Sequence, residues 1–243
     1  MTVQNILFLA ANTARSQGYA QALINAGYAL TSAILINKLD QKAPGQIKAD
    51  TNIEGINGTK DNLFYPNFAI PLIDSLRILS QRVYLVNSGT VNDKTIINII
   101  KSANPDLVIY SGFGGEIVKS EVLSIGPRLL HMHSGYLPKY RGSTTVYYSI
   151  LREKRCGVSA ILLREEIDVG EIVKRIWFDA PSKDINVDYS YDVAIRAHTL
   201  VQVLDEWREN KAFTSIKEQS MCEGEVYYVI HPLLKHLAIM SLE

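Results

Sequence analysis

Two imidazoles one residue apart, and a carboxylate one element later, are the groups of this chain best equipped for chemistry. Leu130-His131-Met132-His133 closes an apolar run, and the chain then enters the polar loop Ser134-Gly135-Tyr136-Leu137-Pro138-Lys139-Tyr140-Arg141-Gly142. Glu165-Glu166-Ile167-Asp168-Val169-Gly170 ends the next apolar run. Residues i and i+2 of a strand face the same way, so His131 and His133 are expected to project together. A strand carrying Asp168 alongside them would gather three titratable groups where strands end, the usual place for a ligand crevice in an α/β sheet. Such a set can stabilise a tetrahedral intermediate and move protons during acyl transfer. It is also a minimal ligand set for zinc or iron, which would make the protein a metal-dependent deacylase.

These groups need a scaffold, and the hydrophobic pattern supplies one. Ile6-Leu7-Phe8-Leu9-Ala10 is a continuous apolar run, as expected of a parallel strand buried on both faces. Ala11-Asn12-Thr13-Ala14-Arg15-Ser16 leads into a helix over 17–26 that Gly27 stops. Residues 30–36 read as a second strand. Residues 37–69 carry Gly, Pro, Asn and Asp without periodicity, and predict a long irregular insertion that covers the site or meets another subunit. Helices over 70–80 and 93–102 then alternate with strands over 83–86 and 107–110. The strand over 128–133 carries the imidazoles, residues 144–153 are helical, and a strand over 158–163 leads to Asp168. Residues 171–178 return antiparallel, and 187–209 form a long helix. This alternation predicts an α/β fold: a mostly parallel, Rossmann-like sheet with helices on both faces. Residues 1–210 are read as one catalytic domain, and 211–243 as a short C-terminal extension of a strand (226–230) and a helix (233–240). Tyr227, Tyr228, His231 and His236 of that extension are read as packing groups outside the site.

Leu137-Pro138-Lys139-Tyr140-Arg141-Gly142, Gly157-Val158-Ser159 and Asp168-Val169-Gly170 occur in an order and spacing that resembles the formyltransferases using 10-formyltetrahydrofolate. That family includes the glycinamide ribonucleotide, methionyl-tRNA and sugar N-formyltransferases. Its pattern runs Asn-x-His, a short polar segment, Leu-Pro-x-Tyr-Arg-Gly, then a Gly-Val-Thr/Ser strand ending in Asp-x-Gly. His131 stands where the family has its Asn. The resemblance implies a formyltransferase-type sheet and a catalytic set of His131, His133 and Asp168. His133 would polarise the formyl oxygen, with Asp168 orienting it. His131 would donate one N–H in place of the amide; if protonated, it would stabilise an oxyanion more strongly and make activity depend on pH near neutrality.

The resemblance also implies that Phe113, Gly114, Gly115, Ile117 and Val118 line the folate pocket, with Glu165 and Glu166 on its other wall. By spacing alone the glycines at 112, 114 and 115 read equally as a turn between strand and helix. The turn at 11–16 precedes a helix N-terminus, a natural anion site, so Asn12 and Arg15 could hold an acceptor phosphate; ordinary capping explains them as well. No Gly-x-Gly-x-x-Gly is present there, against a nicotinamide cofactor. Arg141, beside Gly142, could pair with a carboxylate or phosphate, or hold its own loop shut.

The chain has 243 residues and a formal net charge of +0, so no global field draws it to nucleic acid or an anionic membrane. Residues 211–243 are also too short for the tRNA-binding barrel of the methionyl-tRNA enzymes. The expected acceptor is therefore a small amine, a nucleotide-linked amino sugar, handled by an enzyme that could be a homodimer. A formyl-folate hydrolase and an inactive binding domain of the same fold are the alternatives. Cys156 and Cys222 have no metal or redox spacing, and Cys156 lies in an apolar run. No signal peptide or membrane-spanning run is visible, which makes the cytoplasm the expected setting.

Overall fold

A computed structural model of the protein describes residues 2–38, 58–220 and 223–243. The chain opens with β1 (Gln4–Ala11), α1 (Ala14–Asn25) and β2 (Leu30–Asn37). A hairpin of β3 (Gly58–Lys60) and β4 (Leu63–Tyr65) follows, then α2 (Leu72–Leu79), β5 (Ser80–Asn87), α3 (Lys94–Ala103) and β6 (Leu107–Ser111). Next come α4 (Ser120–Leu123), β7 (Arg128–His133), β8 (Tyr140–Gly142), α5 (Thr145–Glu153), β9 (Arg155–Leu162) and β10 (Glu171–Asp179). A π turn over Val187–Tyr191 leads into α6 (Asp192–Asn210), and β11 (Glu225–Tyr227) and α7 (Pro232–Met240) complete the chain.

The seven-stranded sheet runs β10-β9-β7-β6-β1-β2-β5. Its strands from β7 through β6, β1 and β2 to β5 pair in parallel, and β9 and β10 are antiparallel. The apolar run of β1 explains the layering. Ile6, Phe8 and Ala10 enter one core with residues of α1, α2, α5 and α6, while Leu7, Leu9 and Ala11 enter another with Ile96, Ile100 and Val122 of α3 and α4. A strand covered on both faces is continuously apolar, and β1 is from Ile6 to Ala11. In β7 the same alternation sends Leu130 and Met132 into the first core, so His131 and His133 share the opposite face with Leu129. Cys156 is fully buried in the first core, where burial pushes its thiol up.

Two expectations change. Residues 58–65 are not irregular: Asp61 and Asn62, both with positive φ (51° and 63°), turn β3 into β4. Consecutive left-handed residues match the right-handed twist of a two-residue hairpin, and Asp and Asn tolerate them. Leu63 and Tyr65 from this hairpin are buried in the first core. The rest of the predicted insertion from 39 to 57 lies outside the described residues. The strand expected over 226–230 is shorter and begins earlier, because its partner is the three-residue β8, along which β11 lies parallel. Beyond it Ile230 donates its N–H to Thr144 Oγ1 (2.8 Å), and α7 packs on α5. Among the described residues no helix is long and apolar enough to cross a membrane.

Candidate active site

His133 ends β7 with both ring nitrogens engaged. Nδ1 lies 3.2 Å from Asp168 Oδ1, and Nε2 lies 2.7 Å from the backbone oxygen of Tyr140. Both partners can only accept, so the two contacts are satisfied together by the doubly protonated ring. A neutral ring keeps one of them, and the nitrogen released is then available to a reacting proton.

The loop between β7 and β8 folds back over this ring. Ser159 Oγ donates to the Gly135 carbonyl (2.7 Å) and accepts from the Leu137 N–H (2.9 Å), and Arg175 Nη1 donates to the Leu137 carbonyl (2.8 Å). Gly135 is required: a Cβ there would stand 2.4 Å from the Tyr140 oxygen and 2.6 Å from His133 Nε2. At the far end Gly142, at φ 94°, donates its N–H to Asp168 Oδ2 (2.8 Å). A Cβ at Gly142 would fall 2.1 Å from the Tyr227 oxygen, so this position needs glycine for both its φ and its space.

Asp168 itself has a left-handed backbone (φ 57°), a conformation that aspartate tolerates. Gln219 holds the turn from outside it. Its side-chain amide donates to the carbonyls of Asp168 (3.0 Å) and Gly170 (2.6 Å). Burial by itself would raise the Asp168 carboxyl. The charge and hydrogen bond of His133 and the Gly142 N–H outweigh it and hold the group below the usual carboxylate range.

His131 occupies a different field. It is half-buried, its Nδ1 faces the Tyr110 carbonyl at 3.5 Å, and its ring tilts against that of Tyr110 with centroids 5.6 Å apart. Burial, then the guanidiniums of Arg15 and Arg196, push it down to about 3. His131 is therefore neutral at physiological pH, which corrects the expectation that it titrates near neutrality. Arg196 pairs with Asp192 (2.9 Å), which also accepts from Ser134 Oγ. Arg15 donates from Nε to Ser111 Oγ (3.2 Å) and from Nη2 to the Gly112 carbonyl (2.5 Å).

His131, His133, Asp168 and Arg15 are thus brought to one end of the sheet. Arg141, between the two residues whose backbone meets His133 and Asp168, is buried, with Nη2 donating to the Ser220 carbonyl (2.6 Å). Asn12 uses its backbone N–H on Ile36 (3.1 Å), and Thr13 caps α1. In the loop after β6, Phe113 and Val118 are buried in the second core, whereas Gly114, Gly115 and Ile117 are exposed. Glu165 and Glu166 are exposed on the loop after β9, facing solvent beside Asp168 in sequence. Among the described residues no three His, Cys, Asp or Glu side chains are grouped to hold a metal ion. Sequence reasoning missed Gln219, the Tyr140 carbonyl, the Gly142 N–H and the Arg196–Asp192 pair. The two backbone groups lie inside the loop motif; nothing in the sequence around Gln219 marks it.

A mostly parallel sheet whose strand ends hold an imidazole–carboxylate pair under a glycine-containing loop defines an α/β domain with one candidate proton-transfer pair. The comparisons narrow that class. The sequence pattern of the family described as formyl transferase matches residues 27–201, and the chain belongs to that family. It is 27% identical to a methionyl-tRNA formyltransferase of Finegoldia magna over 161 residues, 64% of this chain and 50% of that protein. To the methionyl-tRNA formyltransferase of Campylobacter lari it is 34% identical over 96 residues, 39% of this chain and 31% of that one. The chain thus spans half or less of the length of these curated relatives. Among solved structures, glycinamide ribonucleotide transformylase 1 from Symbiobacterium toebii superposes with TM-score 0.59 at 12% identity, covering 90% of this chain and 95% of that one. HypX from Aquifex aeolicus in complex with tetrahydrofolic acid superposes with TM-score 0.55 at 16% identity, covering 94% and 30%. A Mycobacterium tuberculosis protein for which sugar N-formyltransferase activity has been suggested gives TM-score 0.55 at 15% identity, covering 99% and 87%. At these identities the superpositions establish the fold.

Proposed function

We propose that this chain transfers a formyl group from 10-formyltetrahydrofolate to the amine of a small acceptor, a nucleotide-linked amino sugar. The observation that carries the reading is His133 held between Asp168 and the Tyr140 carbonyl. Attack by a neutral amine on the formyl carbon creates a tetrahedral carbon with an oxyanion and an ammonium. Collapse breaks the bond to the folate nitrogen, so a proton must leave the new amide nitrogen and one must reach the departing nitrogen. His133, with Asp168 behind it, can carry that proton from one nitrogen to the other once Nε2 is released from Tyr140.

The residues after β6 suit a folate. The exposed Gly114-Gly115 backbone allows a flat ring to approach. The bound folate supplies the activated formyl group; the chain supplies the proton path and the orientation.

A small acceptor is favoured over tRNA by the balance of 25 basic and 25 acidic residues, since tRNA binding draws on clustered positive charge. The suggested sugar activity of the Mycobacterium tuberculosis protein supports the same acceptor class. The test is to incubate the purified protein with 10-formyltetrahydrofolate and a panel of nucleoside-diphosphate amino sugars, following tetrahydrofolate release. Amine-dependent release is expected. Release of equal rate without any amine would replace the transferase by a hydrolase, and no release with any acceptor would overturn the reading.

A further inference from the structure

The loop that closes on His133 has a second side. His133, Ser159 and Arg175 are successive register partners across β7, β9 and β10, and such partners share one face of the sheet. Two residues along, the next pair on that face is Gly157 and Trp177. Tyr136 lies over Gly157, where a Cβ would stand 2.6 Å from the Tyr136 nitrogen. Its ring stacks on Trp177, with centroids 4.6 Å apart and planes 9° apart. Gly135 and Tyr140 meet His133, whereas Tyr136, Leu137 and Pro138 between them line, with Trp177, a cavity of about 450 Å³. Neither His133 nor Asp168 lines it, and its volume suits a small organic ligand, for which sites run to roughly 300–1,000 Å³.

Four charged side chains complete the lining. Lys139 and Glu153 pair with each other, and Glu153 also accepts from the Tyr140 hydroxyl (3.1 Å). Arg155 and Arg175 are left without a carboxylate among the described residues. The Arg175 guanidinium lies over the Tyr136 ring at 4.8 Å and donates from Nη1 to the Leu137 carbonyl (2.8 Å). The Arg155 guanidinium lies over the Trp177 ring at 5.1 Å, and among the described residues it makes no hydrogen bond. Stacking occupies the face of a guanidinium and leaves the N–H groups of its edge, which match two oxygens of a phosphate. Arg175 is level with Ser159 and Arg155 with Asp179, so the two stand on either side of the Gly157–Trp177 pair. Four residues separate them, about 13 Å of strand at ~3.3 Å per residue. An occupant that engages both is elongated and carries more than one negative charge.

The geometry points to this cavity as a binding site for a nucleoside diphosphate. The phosphates meet Arg155 and Arg175, and the nucleoside lies against Leu137, Pro138 and the edge of the Tyr136–Trp177 stack. Glu153 offers an acceptor to its hydroxyl or N–H groups. Inorganic phosphate would satisfy one guanidinium and leave the apolar wall uncovered. The site stands apart from the chemistry at His133, so its occupancy is read without turnover.

The chain has two tryptophans, and Trp207→Phe leaves Trp177 as the fluorophore inside the cavity. Titrating the full chain carrying this change with UDP and ADP is expected to shift its emission saturably with at least one of them. Pyrophosphate and uridine, each half of such a ligand, should bind at least about tenfold more weakly. Arg155→Ala and Arg175→Ala should each raise the Kd of the nucleotide at least about tenfold, the usual cost of a charged hydrogen bond. Thermal melting checks that the variants fold. Where Arg175→Ala does not, Arg155→Ala, at an exposed side chain, carries the comparison alone. No emission change with either nucleotide overturns the proposal, and so does a Kd unmoved by Arg155→Ala. Pyrophosphate bound as tightly as the nucleotides overturns the nucleotide class. A protein that binds here yet is inert in formyl transfer keeps this site and loses the transfer reading. An active protein without the emission change loses this site alone.

Discussion

The strand β7 ends in two histidines on one face, and the regions around them are electrostatic opposites. His133 looks toward acceptors: a carboxylate at 3.2 Å and a backbone carbonyl at 2.7 Å. His131 looks toward cations, the guanidiniums of Arg15 and Arg196, in a partly dehydrated setting. The first surroundings engage both ring nitrogens with acceptors; the second keep the ring uncharged. Spacing alone makes the two residues equivalent, and what separates them is contributed by Asp168, Arg15 and Arg196, which lie on three other segments of the chain. The side chain sets what an imidazole can do, and its neighbours choose among those tasks.

The contrast breaks most directly in turnover. His133→Ala and Asp168→Asn should each lower kcat for tetrahydrofolate release by roughly 10²–10⁴-fold, the range lost with a general acid–base group. His131→Ala should cost less than about tenfold, since a ring held neutral brings no charge to the reaction. Equal losses at the two positions would mean that the regions are not opposites.

A smaller effect sharpens the same contrast through stability. In the unfolded chain His131 protonates near its ordinary value of 6.5, whereas in the folded chain it resists down to about 3. Between those values the unfolded state holds more protons, so acidification favours unfolding, and stability returns as pH rises. His131 alone contributes at most about 1.4 kcal/mol per pH unit to that slope. Denaturant unfolding from pH 6.5 to 4.5 should therefore show a shallower loss of stability in His131→Asn than in wild type. Asp168, which is held below the carboxylate range, acts on stability below this window. A parallel pair of curves would show that His131 is charged in the folded protein.

How much of this the sequence disclosed follows from the range of the interactions. β1 was legible because burial on both faces leaves a continuous apolar run, and the Asp168 turn was legible because Asp-Val-Gly follows an apolar strand at the motif's spacing. The hairpin at 58–65 was hidden inside a polar stretch; its one signal is Asp61-Asn62, two residues that accept left-handed backbone. The charge state of His131 was not legible at all. It depends on Arg15 and Arg196, brought together from 116 and 65 positions away by α1 and α6, and no local pattern records that convergence. Arg141 was read as either a ligand group or a latch; the Ser220 carbonyl to which it donates lies 79 positions along the chain.

The tail that receives Arg141 also reaches the cation-poor side of the crevice, and there the smallest effect is expected. Lys217 exchanges two backbone hydrogen bonds with Ile172, both 2.8 Å, which sets the tail against the start of β10. Two residues on, Gln219 spends both amide hydrogens on the carbonyls of Asp168 and Gly170. The bonds close a turn in which Asp168 is left-handed and aims its carboxylate at His133. Removing them releases the turn without touching the His133 ring or the Asp168 carboxylate. Gln219→Ala should thus lower kcat by about tenfold, near the 1.4 kcal/mol expected when two hydrogen bonds of ordinary strength are lost, while the KM for folate and acceptor stays unchanged. Gln219→Glu keeps the size but turns an acceptor toward two carbonyls, and should be no better than alanine. If the alanine variant instead melts early yet turns over at the wild-type rate, Gln219 holds the tail and not the carboxylate, and Asp168 is oriented by the Gly142 N–H and His133 without it.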